Sequence, residues 1–366
     1  MRAKTKHTFS IHHWCGLIAG GFLLVISLTG SILVFHHDID HALYAELSTL
    51  SKPANAVHID RSFEQVRQAH PNSEIRVPEL AVSPAQALRY EVREGKTRKW
   101  YFMHPETGAQ LGTVDRADQQ LVHVLLELHY QLLSGTVGKI LVLLCGLALL
   151  TLTVTGFILY RKSILKVLTF RQKLQLKTRR SLYSSLHRVV GVWGLVFNLF
   201  ICITGTWISY GIVQHALTDA GAPVSTPPAS VSVDAVLAQV KAAHPDFEIH
   251  FLRFPKSAEG KLSVLGRMKT DPSYYSVFYS GLQADLQTGE LGTLNMLREQ
   301  PFGTRLITLL TPLHFGDFAG YFIKILYCIG GLMPGILSIS GFVIWYYRQK
   351  PQAQPEKKKK VILSKR

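Results

Sequence analysis

Four of the sixteen histidines stand in two matched pairs. His12 and His187 lie in Ser10-Ile11-His12-His13-Trp14-Cys15-Gly16 and Ser185-Leu186-His187-Arg188-Val189-Val190-Gly191, at an offset of 175. His129 and His314 lie in Leu128-His129-Tyr130 and Leu313-His314-Phe315, at an offset of 185. Imidazole is a common metal ligand. Two imidazoles facing across a local symmetry axis suit the two axial positions of a haem iron, and closing both positions suits electron transfer. Spacing alone leaves a second reading equally open, in which these are interfacial histidines that satisfy headgroups or helix ends. Thiolate metal binding is not expected. Cys15, Cys145, Cys202 and Cys328 lie in or beside apolar runs, with no C-x-x-C or C-x-x-C-H among them.

The other histidines separate by context. His36 and His37, followed by Asp38, end the first apolar run and have Gly211, Ile212 and Val213 as their repeat counterparts, so symmetry offers them no partner. They are alternative ligands to His129 or His314, and His13 is an alternative to its neighbour His12. The 24 residues from His12 to His36 cover about 36 Å of helix, so one haem near each membrane face would be needed. His70 and His244 each precede a proline at a helix end, where they would serve the last carbonyls. His7, His58, His104 and His250 sit among polar residues and read as surface groups.

The elements that must position these residues are membrane helices. Trp14–Phe35, Ile140–Tyr160, Val189–Val213 and Ile325–Tyr347 contain no charged residue and are 21 to 25 residues long. About 20 residues cross a bilayer core. Buried helices of a soluble protein are usually shorter and keep a polar face. The first run is too long for a signal-peptide core and lacks a small-x-small cleavage site, so it reads as a retained anchor. Charge sets the orientation. The N-terminal tail, the 161–188 loop and the C-terminal tail hold 3, 9 and 8 Lys/Arg and a single acid, Glu356. The long segments 37–138 and 213–321 hold 18 basic and 23 acidic residues. Short basic loops stay in the cytoplasm. The net charge of +16 is therefore a topology signal. The run Lys357–Lys360 suits anionic lipid headgroups rather than nucleic acid.

The chain is a duplication. Besides the histidine motifs, Leu28-Thr29-Gly30 aligns with Ile203-Thr204-Gly205, and Gln65–Pro71 with Gln239–Pro245. Glu106–Gly112 aligns with Gln287–Gly292, and Lys139-Ile140-Leu141 with Lys324-Ile325-Leu326. Each half reads as helix, outward domain, helix, which gives parallel repeats about an axis along the membrane normal. The resulting division is 1–36 (N-tail and first span), 37–138 (outward domain), 139–160 (second span), 161–188 (basic loop), 189–213 (third span), 214–321 (outward domain), 322–347 (fourth span) and 348–366 (basic tail). The fold class is an α-helical membrane protein with two small α/β outward domains. In these, Arg61–His70 and Asp234–His244 read as helices ended by proline. Ile75–Val77, Leu88–Val92, Lys99–Met103 and Tyr274–Tyr279 read as strands, with Thr-Gly turns. Ser51–Ala56 and Gly221–Ser230 read as linkers.

Each span carries one hydroxyl–glycine pair: Thr29-Gly30, Thr155-Gly156, Thr204-Gly205 and Ser340-Gly341. Close helix packing is the plain reading, and room for a flat porphyrin is the alternative. Asn198 lies mid-span and should point inward to a partner, and Pro334 should bend the fourth helix. Phosphate loops, dinucleotide fingerprints, H-E-x-x-H and nucleophile elbows are absent. The cytoplasmic segments are too short to hold a flavin or nicotinamide, so a reductant must be external or in the membrane. A transporter would show interrupted helices and intramembrane charge, and the spans carry no charge.

The segments I-H-H-W-C-G-L and L-T-G-S-I-L-V-F within 11–35, L-H-Y-Q-L-L-S-G at 128–135 and L-H-F-G at 313–316 resemble the PepSY-associated transmembrane family over nearly the whole chain. Within it, the sequence is similar to inner-membrane ferric-siderophore reductases. That resemblance implies PepSY-like outward domains facing the periplasm and two haem b groups held by His12, His187, His129 and His314. The family often has His-Arg at its first motif, whereas this chain has His12-His13, and the repeat selects His12. The expected activity is ferric-chelate oxidoreduction, with electrons from an unidentified membrane or cytoplasmic donor. Trp100, Tyr101, Phe102, Tyr274, Tyr275 and Tyr279 would either orient the chelate or form sheet core. The competing reading is a membrane-anchored PepSY domain that binds peptides or modulates proteases without redox activity. The charge distribution makes the orientation testable. A reporter enzyme active only in the periplasm should work when fused after Asp60 or Ser232 and fail after Thr178, and activity at Thr178 would reverse the topology.

Overall fold

In the computed structural model, residues 3–80, 83–218, 224–316 and 318–349 are described. The start of the Gly221–Ser230 linker and the Lys357–Lys360 run lie outside them. The chain opens with α1 (Ala3–Leu33), α2 (His36–Leu43) and α3 (Ala45–Ser48), then α4 (Asp60–Ala69). Strands β1 (Glu74–Val77), β2 (Leu88–Glu94), β3 (Thr97–Met103) and β4 (Gln110–Val114) follow, and then α5 (Leu121–Gln131) and α6 (Gly135–Tyr160). Past the short α7 (Ile164–Leu168) the order recurs: α8 (Arg179–Trp193), α9 (Leu195–Thr218), α10 (Val233–Ala243), β5 (Phe247–Arg253), β6 (Leu262–Met268), β7 (Ser280–Ala284), α11 (Phe302–Phe315) and α12 (Gly320–Gln349).

Among the described residues, four helices are long and apolar enough to cross a bilayer: Thr5–Leu33, Gly135–Tyr160, Leu195–Thr218 and Gly320–Gln349. The third departs from the expected 189–213. Helix α8 carries the chain in from Arg179, and a break at Gly194 separates it from α9. A Cβ at Gly194 would lie 2.7 Å from the Met333 sulfur, so the close approach of α12 needs a glycine here. Thr178 starts α8 by accepting from the Ser181 N–H at 3.1 Å, while the Ser181 hydroxyl accepts from the Thr178 N–H at 3.0 Å. In α12, Pro334 lies inside the helix, and the neighbouring ladder is opened and repaired from α1. The Ser27 hydroxyl donates to Gly331 O at 2.5 Å and accepts from the Gly335 N–H at 2.9 Å, inserting itself into that turn.

On one side of the bundle all seven strands form a single antiparallel sheet in the order β4-β3-β2-β1-β5-β6-β7. The sequence reading treats the outward segments as two domains, whereas here they join edge to edge through β1 and β5. Their register sets Arg76 opposite Arg253 and Val77 opposite Leu252. The physical reason is that a separate sheet would leave each of these edges with unpaired N–H and C=O groups, and joining removes both. The apolar core is shared. Ile59, Phe63, Ile75 and Tyr90 from one half pack with Val236, Phe254, Leu262 and Leu282 from the other. The Phe63 and Phe254 rings stack with centroids 3.8 Å apart. Full burial of such a side chain contributes about 2–3 kcal/mol.

Two departures concern single residues. Tyr274–Tyr279 is an irregular loop rather than a strand, and β7 begins only at Ser280. Pro272 lacks a ladder donor, and Ser276 turns the chain by accepting from the Phe278 N–H at 3.3 Å. Tyr274 and Tyr279 are exposed, while Trp100, Tyr101 and Phe102 are buried in β3 as sheet core. His70 does end α4, but its ring does not serve helix carbonyls. Its Nε2 shares a 2.7 Å hydrogen bond with the Tyr101 hydroxyl, and burial lowers its pKa.

The helix starts are capped reciprocally between halves. Asp60, first in α4, accepts from Val233 N at 2.6 Å and from the Ser232 hydroxyl at 2.5 Å. Asp234, at the start of α10, accepts from Ile59 N at 2.6 Å and Asp60 N at 3.4 Å. Each carboxylate thus satisfies free N–H groups at the other helix's N-terminus. Asp60→Ala and Asp234→Ala should each cost about 1–2 kcal/mol of stability, the usual scale of an N-terminal cap. A fall in thermal midpoint in both single variants, with the double variant falling less than the sum, is the expected measurement.

Candidate functional site

The four repeat-matched histidines meet as two pairs. His12 on α1 and His187 on α8 have ring centroids 6.2 Å apart at an interplanar angle of 88°. His129 on α5 and His314 on α11 lie 6.5 Å apart at 45°. The first pair is on the side away from the sheet, and the second is level with the sheet-side end of α1. Seventeen residues of α1 separate His12 from Thr29, the residue beside His129, or about 26 Å of helix.

Every one of these rings is held at Nδ1 by a hydroxyl from a span of its own half. His12 bonds to Thr155 at 2.9 Å, His187 to Ser340 at 2.9 Å, His129 to Thr29 at 3.2 Å and His314 to Thr204 at 2.9 Å. The direction of these bonds follows from proton counting. A hydroxyl has one hydrogen, and each of these is directed to a carbonyl of its own helix. Thr155 donates to Thr151 O at 2.6 Å, Thr29 to Val25 O at 2.8 Å, Thr204 to Phe200 O at 3.0 Å and Ser340 to Leu337 O at 3.2 Å. The hydroxyl oxygens therefore accept, and the imidazoles donate from Nδ1–H. His129 shows the same tautomer independently, since its Nδ1 is also 2.9 Å from Ile26 O, which can only accept. A neutral imidazole protonated at Nδ1 carries its free lone pair on Nε2. This is the state of a metal-ligating histidine whose other nitrogen is held by an outer partner.

The glycine after each hydroxyl makes room for the ring. A Cβ at Gly30 would lie 2.7 Å from His129 Cε1, and one at Gly205 would lie 2.8 Å from His314 Cε1. At Gly156 and Gly341 the corresponding distances to His12 and His187 are 3.4 and 3.5 Å, ordinary contact. The hydroxyl–glycine pairs are thus imidazole cradles as well as packing sites. Their signal was present in the sequence as one such pair per span, but nothing there linked each pair to a histidine.

The remaining candidates lie outside both pairs. His13 stacks on Phe9 at a centroid distance of 5.8 Å and meets Trp14 edge-on at 5.5 Å. His36 donates from Nδ1 to Leu33 O at 2.9 Å and stacks on His37 at 4.0 Å. His37 lines a polar cavity of about 440 Å³ with Asp38, Asp40, His41, Glu79 and Arg89 on the sheet side. A second cavity, of about 390 Å³, is lined by His12, His187, Gly156 and Gly341 together with Leu23, Leu152 and Leu337. Asn198 is 3% exposed at its inner end, and its Oδ1 has no hydrogen-bond partner among the described residues. Among the described residues none supplies the partner expected for that oxygen.

The spacing of each pair fits one metal between two imidazoles. A metal–nitrogen bond is about 2 Å, and with the ring centre about 1 Å further back the centroids of two opposed axial ligands fall about 6 Å apart. Among the described residues no group of three or more His, Cys, Asp or Glu is arranged to hold a metal ion. Two nitrogens alone do not fill the coordination of a transition metal, so a metal here would have to bring its other ligands with it.

Four crossing helices, a bundle with histidines paired near both ends, and α/β segments outside the bundle define a multi-span membrane protein with an extramembrane sheet. The family described as the PepSY-associated TM region matches residues 9–348, and the chain belongs to that family. It is also similar to a protein of Pseudomonas aeruginosa described only as uncharacterised, with 25% identity over 257 residues. The match covers 62% of this chain and 63% of that protein, so the chain spans under two thirds of its relative's length.

The glycine contacts separate the two pairs experimentally. With nitrogen-labelled histidine in detergent, Gly30→Ala and Gly205→Ala should displace the ring they face and shift its Nδ1 resonance. Gly156→Ala and Gly341→Ala should leave the His12 and His187 resonances near their original positions.

Proposed function

We propose that this chain is a haem b protein of the bacterial inner membrane that passes electrons outward to ferric-siderophore or similar ferric chelates. The observation that carries the reading is the set of Nδ1 hydrogen bonds by which the four imidazoles meet already committed hydroxyls, an arrangement that leaves Nε2 available to a ligand. Haem iron closed by two imidazoles exchanges single electrons with no open position for substrate. His12 with His187, and His129 with His314, would be the axial ligands of two such groups.

The rest is the work of the chain's own residues. Thr155, Ser340, Thr29 and Thr204 orient the rings and keep Nδ1 protonated. The glycines beside them let the rings approach the spans. The bundle partly buries the pairs and holds them about 26 Å apart along α1. The sheet would face the periplasm as a pair of PepSY-like units related by the internal repeat, and both termini would lie in the cytoplasm. The Lys/Arg excess in the tails and the 161–188 loop supports that orientation. The same tails would meet anionic lipid. An unidentified membrane or cytoplasmic donor would supply electrons at the His12–His187 end, and a chelate at the sheet side would accept them.

Family membership by itself carries a coarser reading, a membrane-anchored binding or protease-modulating protein without redox activity. The exposed aromatics Tyr274, Phe278 and Tyr279 on the β6–β7 loop favour it as a contact surface. One series of measurements separates the two. The purified protein should show a haem b spectrum on reduction, with pigment extractable by acid acetone because no cysteine attaches it. Thr29→Val or Ser340→Ala should weaken haem affinity by about 10- to 100-fold, the usual effect of losing an outer-shell partner. Reduced protein should be reoxidised by a ferric hydroxamate, with ferrous iron trapped by a colorimetric chelator and little inhibition by carbon monoxide. Colourless protein after expression with ample haem would leave the binding reading.

A further inference from the structure

Arg188 and Asn198 are the two residues lining the His12–His187 cavity whose buried polar atoms lack a partner among the described residues, and Arg188 is the charged one. It follows His187 on α8 and lines the same cavity, and its Nε is buried with no hydrogen-bond partner among the described residues. Its guanidinium lies 5.6 Å over the ring of Tyr160, the last residue of α6. Arg348, near the end of α12, lines the cavity as well, 5.2 Å over the Phe9 ring. The residues described as lining the cavity include these two arginines and no carboxylate.

The chain has little with which to neutralise them. Residues 1–37, 139–213 and 322–355 contain no Asp or Glu. A guanidinium brought into a bilayer-spanning bundle is costly unless an anion meets it. The cation–π contact with Tyr160 satisfies the face of the group and leaves the in-plane Nε–H without a partner among the described residues. The body of the cavity is apolar, through Leu17, Leu149, Leu152 and Leu337. The space therefore suits an amphiphile with an apolar body against the leucines and an anionic end against the arginines.

We propose that Arg188, with Arg348 at the rim, receives the carboxylate side chains of the tetrapyrrole whose iron His12 and His187 would hold, which turns those carboxylates toward the basic side of the membrane. The proposal rests on the haem reading above and adds to it an orientation and a recognition element. Guanidinium recognises carboxylate through paired N–H donors, so Arg188 is a positioning residue for the ligand and not a metal ligand. An anionic lipid headgroup offers similar charge, and a porphyrin whose carboxylates are esterified distinguishes the two sources.

The test compares uptake of iron protoporphyrin with that of its dimethyl ester by protein freed of cofactor, in zwitterionic detergent. Wild type should prefer the free acid by about tenfold at the site that His12→Ala abolishes, the scale of a charge-assisted pair. Arg188→Gln should remove that preference there and leave uptake at the His129–His314 site unchanged, which reports an intact bundle. Arg188→Lys, which keeps the charge without the fork, should fall between. Equal affinity of wild type for acid and ester, or an unaltered preference in both Arg188 variants, would overturn the proposal, and an anionic lipid would then be what meets the arginine. Uptake of neither porphyrin by wild type would instead remove the haem reading on which it rests.

Discussion

The structure depends on a constraint that hydrocarbon imposes on hydrogen atoms. A polar group in the bilayer must find its partner inside the protein, and a hydroxyl has a single hydrogen to give. Thr29, Thr155, Thr204 and Ser340 each give theirs to a carbonyl of their own helix. What remains is an oxygen that only accepts, and an imidazole beside it must then donate. The identity of the free nitrogen is thus settled by a backbone carbonyl one turn away. Four imidazoles are thereby held in one orientation, each with Nδ1 donating to a hydroxyl. Replacing any of the hydroxyls by a methyl would keep the packing and lose that selection.

The two halves contribute differently to the site. Hydrogen bonds that orient the rings run within a half, from His12 to Thr155 and from His187 to Ser340, while the rings that face each other come from different halves. Ring spacing is therefore governed by how the halves are held in register. Several contacts do this. Ser27 of α1 completes the opened turn of α12. Asp38, just past α1, accepts from the Tyr321 hydroxyl at 2.6 Å and from Lys324 Nζ at 2.9 Å at the start of α12. Above the membrane, β1 pairs with β5, and Asp60 and Asp234 exchange caps. The shared sheet acts in this sense as a clamp on the bundle, well away from the histidines whose separation it helps to set.

Much of this was legible in the residues. Uncharged runs of 21 to 25 residues marked the spans, and α4, β1, β2, β3 and α10 fall where apolar alternation, His-Pro and Thr-Gly turns placed them. The histidine pairs were legible because a duplication brings equivalent positions toward a common axis. Other features depend on contacts that no local pattern reports. Ser27 is an ordinary small residue until Pro334 on another helix leaves a carbonyl and an N–H to be bridged. The β1–β5 junction joins Val77 to Leu252 across 175 residues, and either strand alone reads as a free edge. Tyr274–Tyr279 has strand-forming residues, but the turn after Pro272 outweighs their propensity. Arg188 looked like one more basic residue of a cytoplasmic segment, and its isolation is visible only once α8 carries it beside the cavity.

The two pairs share their chemistry and differ in their surroundings, and that difference bears on how the ends of the bundle divide their work. On the sheet side the rings sit hard against their glycines, at 2.7 and 2.8 Å from a hypothetical Cβ, and His129 has a second acceptor in Ile26 O. Those rings have little freedom to turn. At the other pair the same contacts relax to 3.4 and 3.5 Å, and the rings open on a cavity of about 390 Å³ where Arg188 Nε and Asn198 Oδ1 have no hydrogen-bond partner among the described residues. Pre-organisation favours a site whose geometry is the same in both oxidation states, because electron transfer is slowed by whatever must rearrange. Under the proposed function, the tighter sheet-side pair would meet that requirement through its protein contacts alone. The other pair has packing space and polar atoms that no described residue fills, so a group bound there would add to its rigidity.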